Sequence, residues 1–393
     1  MNIHNWMSGR FFSFFLTWGI FLPYWTGWMI STRGITVSQA SLIMGLGLVV
    51  RGLSTLWAFP YFSNKYSIKT VLNGMTFGTL LVVLGFSVAR SFDGLLLATL
   101  LLNLFYPTLM PALDSTAGTL IQSKHLRHYG KARSWGSIGF VVGGTVLTFF
   151  TSMLGDKVIL WAMLIGTLIF SGLSLMKSPA VLSEKPDFKK SKKSGMQHIF
   201  RIKHFGLVLA IVILLQAAHA SYYSFGYIYL QDIHAPKYLI GVIINIAVIA
   251  EILFFTIADR YFHQFSIGSL LTVAALGSTA RWIVVFSFPN VMVFALSQIF
   301  HAASFAMVHY AFMKYLIKNV PHSLVSKVQG LYSAFALSWG TAVLTIFSGF
   351  LYQIEPKYAF VGMVVCTVPA LLLALRYSRL EQRQLAVAAS AGL

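Results

Sequence analysis

Eight ionisable side chains lie inside long apolar runs of this 393-residue chain: Arg51, Asp114, Arg133, His219, Glu251, Arg281, His301 and His309. In a hydrocarbon setting each costs about 2.5–3.5 kcal/mol on insertion scales, so each is a functional candidate with a partner to be found. Two chemistries fit these residue types. A carboxylate and imidazoles can take up and pass on a proton, and a guanidinium offers a two-pronged fork to a carboxylate. Glu251, His301, His309 and Arg281 are the candidates for proton coupling. Asp114, Arg133 and Arg51 are candidates for solute binding, and three arginines against two acids leave a surplus of positive charge that suits an anion. No GxxxxGK[ST] occurs, so the chain has no phosphate-binding loop with which to use ATP. No cofactor is called for.

The elements that must position these groups follow from composition. The chain is 57% hydrophobic and only 10% charged, with mean hydropathy +0.75, whereas soluble domains carry about 25% charged residues. Soluble enzymes, nucleic-acid binders and disordered scaffolds are excluded, and the lipid bilayer is the expected surrounding. Apolar runs between charged or Pro/Gly-marked breaks predict twelve spanning helices, at roughly 7–30, 39–61, 69–89, 93–121, 131–153, 158–176, 205–230, 238–258, 266–287, 291–317, 326–352 and 357–376. The expectation is an all-α membrane protein of two six-helix bundles, 1–176 and 205–377, with a basic linker at 177–204 and a tail at 378–393, its last eight residues loose. Two such halves imply parallel repeats with a ligand site near the midplane between them.

The formal charge of +19 is explained by topology. With both termini cytoplasmic, one side holds Lys65, Lys69, Lys124, Arg127, Lys131, the linker cations Lys177, Lys185, Lys189, Lys190, Lys192, Lys193, Arg201 and Lys203, and then Arg260, Lys318, Lys327, Arg376, Arg379 and Arg383. The other side holds Arg33, Arg90, Lys157, Lys237 and Lys357. This is the positive-inside bias. The first apolar run is too long for a signal peptide and is retained as a helix. A lone Cys366 excludes an internal disulfide framework, and the absence of any N-x-S/T sequon suits a bacterial inner membrane.

At ~1.5 Å rise per residue, Arg281 is about 9 Å below the outer end of its predicted helix, His301 about 15 Å, Glu251 about 20 Å and His309 about 27 Å. Glu251 thus falls between the two histidines in depth. His301, Phe305 and His309 follow i, i+4, i+8 and share one face. In the first half, Asp114 is about 11 Å from its helix end and Arg133 about 3 Å into the next helix, so a static pair or a shared solute site is expected, with Asp114 also the nearest acid to Arg51. Gln216, His219 and Tyr223 share a face at i, i+3, i+7. With Tyr24 beside Pro23 and Tyr106 in the fourth helix, they could bind a ring and its polar end. Gly136, Gly139, Gly143 and Gly144 predict close helix packing. Three functions are weighed: a proton symporter for an organic anion, a proton symporter for a neutral sugar or nucleoside, and a non-transporting sensor that signals through 177–204. The partners expected are a small-molecule substrate and protons, no nucleic acid, and a monomer.

The strings GIFLPYWTGW, LVVRGLSTLWAFP, YGKARSWGSIGFVVGG, LLQAAHASYYSFGYIY, TARWIVV and HAASFAMVHYAFMKY, together with Glu251, resemble the phenylpropionic acid permease family across essentially the whole chain. That family lies near the lactose permease group of proton symporters in the major facilitator superfamily, and SNKYSIK and ADRYFHQFS are similar to its D-R/K loop motif, with Asn64 in place of an acid. The resemblance implies the major facilitator fold and proton-coupled uptake of an aromatic acid such as 3-phenylpropionate by alternating access. It implies that Glu251, Arg281 and His301 are the coupling cluster, and that Asp114 and Arg133 are an acid and arginine pair touching substrate. Lactose permease has a glutamate one turn after the equivalent histidine. Here Ser304 and Phe305 stand there, which makes Glu251 the main proton-carrier candidate.

Overall fold

The computed structural model describes residues 2–185 and 197–390. No strand occurs among them. We number the spanning elements α1 Ile3–Arg33, α2 Val37–Lys65, α3 Ile68–Gly85, α4 Phe92–Gln122, α5 Tyr129–Leu154, α6 Val158–Leu175, α7 Phe205–Asp232, α8 Lys237–Tyr261, α9 Ile267–Ser287, α10 Val291–Asn319, α11 Leu324–Ile354 and α12 Tyr358–Arg383. Eleven of these, α2 to α12, are long and apolar enough to cross a membrane. The remaining one, α1, has 31 residues, more than a bilayer requires, and its hydropathy is lowered by tryptophan and tyrosine rather than by charge.

Helix starts follow local hydrogen bonding. The Asn2 side chain accepts from His4 N, Thr36 and Gln39 form a capping box at α2, and Ser67, Ser91, Ser266 and Asn290 accept from the backbone three residues on. Gly34 ends α1 at φ 67°, a left-handed conformation that glycine adopts without strain. Irregular turns sit inside several spans. α4 opens at 106–108, where Pro107 supplies no N–H, and α7 is interrupted at Ala218–His219. α10 carries a 3-10 turn at Gln298–Phe300 followed by a π turn at Ala302–Ala306, and α2 and α11 carry π turns at Ser54–Ala58 and Phe335–Trp339.

The chain forms two compact units. Unit 1 comprises Met1–Ser191 and Tyr223–Asn245, and unit 2 comprises Lys192–Tyr222 and Ile246–Leu393. In unit 1, α1 packs along α5, and the glycines predicted to allow this do so: a Cβ on Gly139 would meet the Phe12 carbonyl, and one on Gly143 the Leu16 carbonyl. In unit 2, α9 packs against α12, and the Glu381 carboxylate accepts from Gly268 N (2.7 Å) at the start of α9. Lys189, Lys190, Lys192 and Lys193 of the basic linker lie outside the described residues. The tail departs from expectation, because the helix of α12 continues unbroken to Ser390 where a loose end is predicted.

Candidate functional site

Unit 2 brings Glu251, Arg281, His301 and His219 into one cluster, and the irregular turns of α7 and α10 run through it. Arg281, 1% exposed, directs NH1 to His301 Nδ1 (3.2 Å) and to Ser304 Oγ (3.2 Å), and NH2 to Gln298 Oε1 (2.9 Å). Its guanidinium lies over the rings of Trp282 (4.4 Å) and Tyr222 (5.1 Å). Gln298 is held in turn by donating Nε2 to the Phe294 carbonyl (3.0 Å).

These partners determine where the imidazole protons are. His219 Nδ1 faces the Leu215 carbonyl (3.1 Å), which can only accept, so Nδ1 carries the hydrogen and a neutral ring leaves Nε2 to accept from the Ser304 hydroxyl (3.0 Å). Ser304 Oγ can therefore accept from Arg281 while its own hydrogen points to His219. His301 Nδ1 accepts from Arg281, so a neutral His301 carries its hydrogen on Nε2, which lies 3.8 Å from Glu251 Oε2. The His301 ring is fixed by stacking on Phe305 (5.0 Å, 7° between planes) and by edge contact with His219 (5.2 Å). A connected path thus runs from Gln298 through Arg281 to His301 and Glu251, with a branch through Ser304 to His219. Of the ion-paired residues in it, the Glu251 side chain is 29% exposed and that of His301 only 5%, so Glu251 is the more accessible of the two.

His309 lies one register away from the stripe predicted for it. The π turn at Ala302–Ala306 inserts about one residue's rotation into α10, and His309 Nδ1 accepts from the Tyr332 hydroxyl (3.1 Å), which itself accepts from Gln216 Nε2 (3.0 Å). Gln216 and His219, expected on one face, enter two separate hydrogen-bond paths, because α7 is broken between Ala217 and Ala220. Tyr223, the third member of that face, is half-buried and belongs to unit 1.

In unit 1 the Tyr129 hydroxyl links two of the predicted residues, Asp114 and Arg133, while Arg51 lies elsewhere. The Asp114 carboxylate accepts from the Tyr129 hydroxyl (2.8 Å) and makes no direct ion pair with Arg133, whose guanidinium lies 4.1 Å from the Phe15 ring centre. Arg51, for which Asp114 was the candidate partner, lies 5.3 Å from the Trp18 ring, and its Nε is buried without a hydrogen bond. The gap in depth between Asp114 and Arg133 is spanned by Tyr129 rather than by a direct ion pair. Tyr106 is fully buried, donates to Thr17 Oγ1 (2.8 Å) and packs against Phe14, Trp18 and Phe21. Tyr24 packs edge-on to Tyr227 (4.8 Å).

Sequence reasoning missed Gln298, Tyr222 and Tyr332 and gave Ser304 no role. Gln298 and Ser304 flank His301 at i−3 and i+3, so helical spacing alone could have drawn them in. No group of three or more His, Cys, Asp or Glu side chains among the described residues could hold a metal ion.

Among the described residues eleven helices are long and apolar enough to span a membrane, and the chain belongs to the MFS_1 like family, which it matches over residues 4–361. It is a secondary transporter of the major facilitator type, a multi-pass membrane protein and not an enzyme. It is 30% identical over 369 residues to the probable 3-phenylpropionic acid transporter of Escherichia coli (strain K12), covering 94% of this chain and 96% of that one. It is 22% identical to the maltose permease of Geobacillus stearothermophilus, covering 95% and 94%. Among solved structures it is similar to the nucleoside transporter NupG, with TM-score 0.79 at 16% identity over 96% of this chain and 99% of that one.

Proposed function

We propose that the protein is a proton-coupled symporter that imports a small aromatic monocarboxylate, 3-phenylpropionate being the leading substrate, by alternating access. The observation that carries this reading is the contact of Glu251 with a His301 whose other nitrogen is occupied by Arg281. With the donor-only Arg281 on Nδ1 and a hydrogen already on Nε2, His301 has no site for an incoming proton. The proton therefore goes to the Glu251 carboxylate. Neutralising it removes a negative charge across the His301 ring from Arg281, and the guanidinium then favours a carboxylate from the solute, so proton and anion enter as a pair with no net charge. The ligand pair biases the transporter by its differential affinity for the two conformations. The 30% identity to a probable 3-phenylpropionic acid transporter supports the choice of substrate.

Replacing Glu251 with Gln keeps the shape of the side chain and removes the proton. In vesicles the variant should exchange labelled 3-phenylpropionate across the membrane but fail to accumulate it against a gradient. Uphill accumulation at the wild-type level would remove Glu251 as the carrier.

A further inference from the structure

Arg10 has no part in the transport chemistry above, yet it is 1% exposed. It lies in unit 1, near the start of α1. NH1 donates to the Trp6 carbonyl (3.0 Å), NH2 donates to the Leu173 carbonyl near the end of α6, and the guanidinium lies 3.4 Å from the Trp6 ring centre. Both acceptors are neutral. A guanidinium has five N–H donors, and here Nε is buried with no hydrogen-bond partner. Among the described residues no carboxylate lies within ion-pair distance of it. A cation taken out of water without a counter-charge is unfavourable, and the fold keeps this one.

Next to Arg10 is a cavity of about 10 Å³, lined by Trp6, Arg10, Lys69, Asn73, Ser174 and Ser178 among others. Lys69 brings a second positive charge, and it sits in the first turn of α3, where unsatisfied N–H groups make the helix end positive. Ser178 Oγ is buried without a partner. Ser174 already donates to the Phe170 carbonyl (3.1 Å). The lining residues bring the unpartnered Arg10 Nε and Ser178 hydroxyl together with the Lys69 ammonium and the Asn73 amide, and no acidic residue is among them. The chamber is donor-rich, carries two cations and holds one atom about the size of a water oxygen.

We propose that this cavity binds a single anionic atom, either a free halide or the terminal oxygen of an anionic lipid phosphate whose headgroup remains outside. The cavity's lining shares no residue with the site proposed for substrate. Its donors come from α1, α3 and the segment after α6, and an anion there holds the ends of those helices together. The site lies wholly within unit 1 and works whether or not Glu251 is protonated.

The test is thermal unfolding of the purified full-length protein. In one arm, detergent-solubilised protein stripped of lipid is titrated with sodium chloride, sodium gluconate holding ionic strength constant. In the other, the protein is placed in nanodiscs of phosphatidylcholine with or without phosphatidylglycerol. A saturable rise of Tm with chloride identifies a free anion, and a rise with phosphatidylglycerol alone identifies a lipid phosphate. Arg10→Gln should abolish the rise. Since that variant could fail to fold, Lys69→Gln, at a half-buried position, is the second probe and should raise the half-saturating anion concentration about tenfold or more. A wild-type Tm indifferent to both chloride and phosphatidylglycerol would overturn the proposal. So would a Lys69→Gln protein that responds as the wild type does.

Discussion

In unit 1 the charges fall into small separate groups: Asp114 and Arg133 share the Tyr129 hydroxyl, Arg51 lies over the Trp18 ring, and Arg10 is met by two carbonyls and Trp6. In unit 2 Gln298, Arg281, His301, Glu251, Ser304 and His219 touch one another in sequence. Isolated charges respond to a proton or a ligand one at a time. A connected set passes the response on, because each hydrogen bond determines which nitrogen or oxygen of the next group is available. On the proposed reading, proton handling belongs to the connected set of unit 2, and the charges of unit 1 serve packing and solute contact.

The comparison can be broken by substitutions on either side. The largest effect on stability is expected at Arg281. Arg281→Met removes the donor shared by His301, Ser304 and Gln298 and leaves three buried acceptors unsatisfied, at about 1–3 kcal/mol for each. Arg51→Met in unit 1 should lose only a ring contact worth about 0.5–2 kcal/mol. Unfolding in mixed micelles compares the two, and equal losses would mean that Arg281 is no more connected than Arg51. A smaller effect is expected for Ser304→Ala. It cuts the branch from Arg281 to His219 at about 1–3 kcal/mol and should lower the ratio of protons to solute carried, with exchange retained. The smallest is expected for Tyr129→Phe, which removes one hydrogen bond to Asp114 at a partly exposed site, about 0.5–1.5 kcal/mol. Its proton-to-solute ratio should equal that of the wild type. A ratio lowered as far as in Ser304→Ala would place Asp114 in the coupling path and end the division of labour.

The fold was legible in the sequence because run length is a coarse signal that a bilayer enforces: the helix predicted at 158–176 is Val158–Leu175, and that at 266–287 is Ile267–Ser287. The approach of Glu251 and His301 was legible too, from depth counted at a constant rise per residue. What depth does not carry is rotation. Asp114 and Arg133 were expected to meet directly, yet they meet through the Tyr129 hydroxyl, and Arg51 turns to Trp18 instead of Asp114. His309 fell off its stripe because a π turn is a backbone feature with no side-chain signature in the run HAASFAMVH, and the interruption of α7 at Ala218–His219 separated Gln216 from His219 for the same reason. Gln298, Ser304 and Tyr332 were missed because a neutral polar side chain in a helix is cheap enough to pass as packing until its partners are seen. The helical tail to Ser390 shows the opposite failing, since the small residues of AVAAS favour helix and were read as loose only because they end the chain.

The central claim is that unit 2 couples a proton to an aromatic anion, and the most direct measurement is the external pH of lightly buffered vesicles containing the protein when 3-phenylpropionate is added, corrected for passive entry of the protonated acid. The account predicts alkalinisation with 3-phenylpropionate and none with a neutral sugar or a nucleoside. A response to the sugar or nucleoside alone would keep the coupling and overturn the substrate. No pH change while labelled 3-phenylpropionate exchanges across the membrane would contradict proton coupling itself.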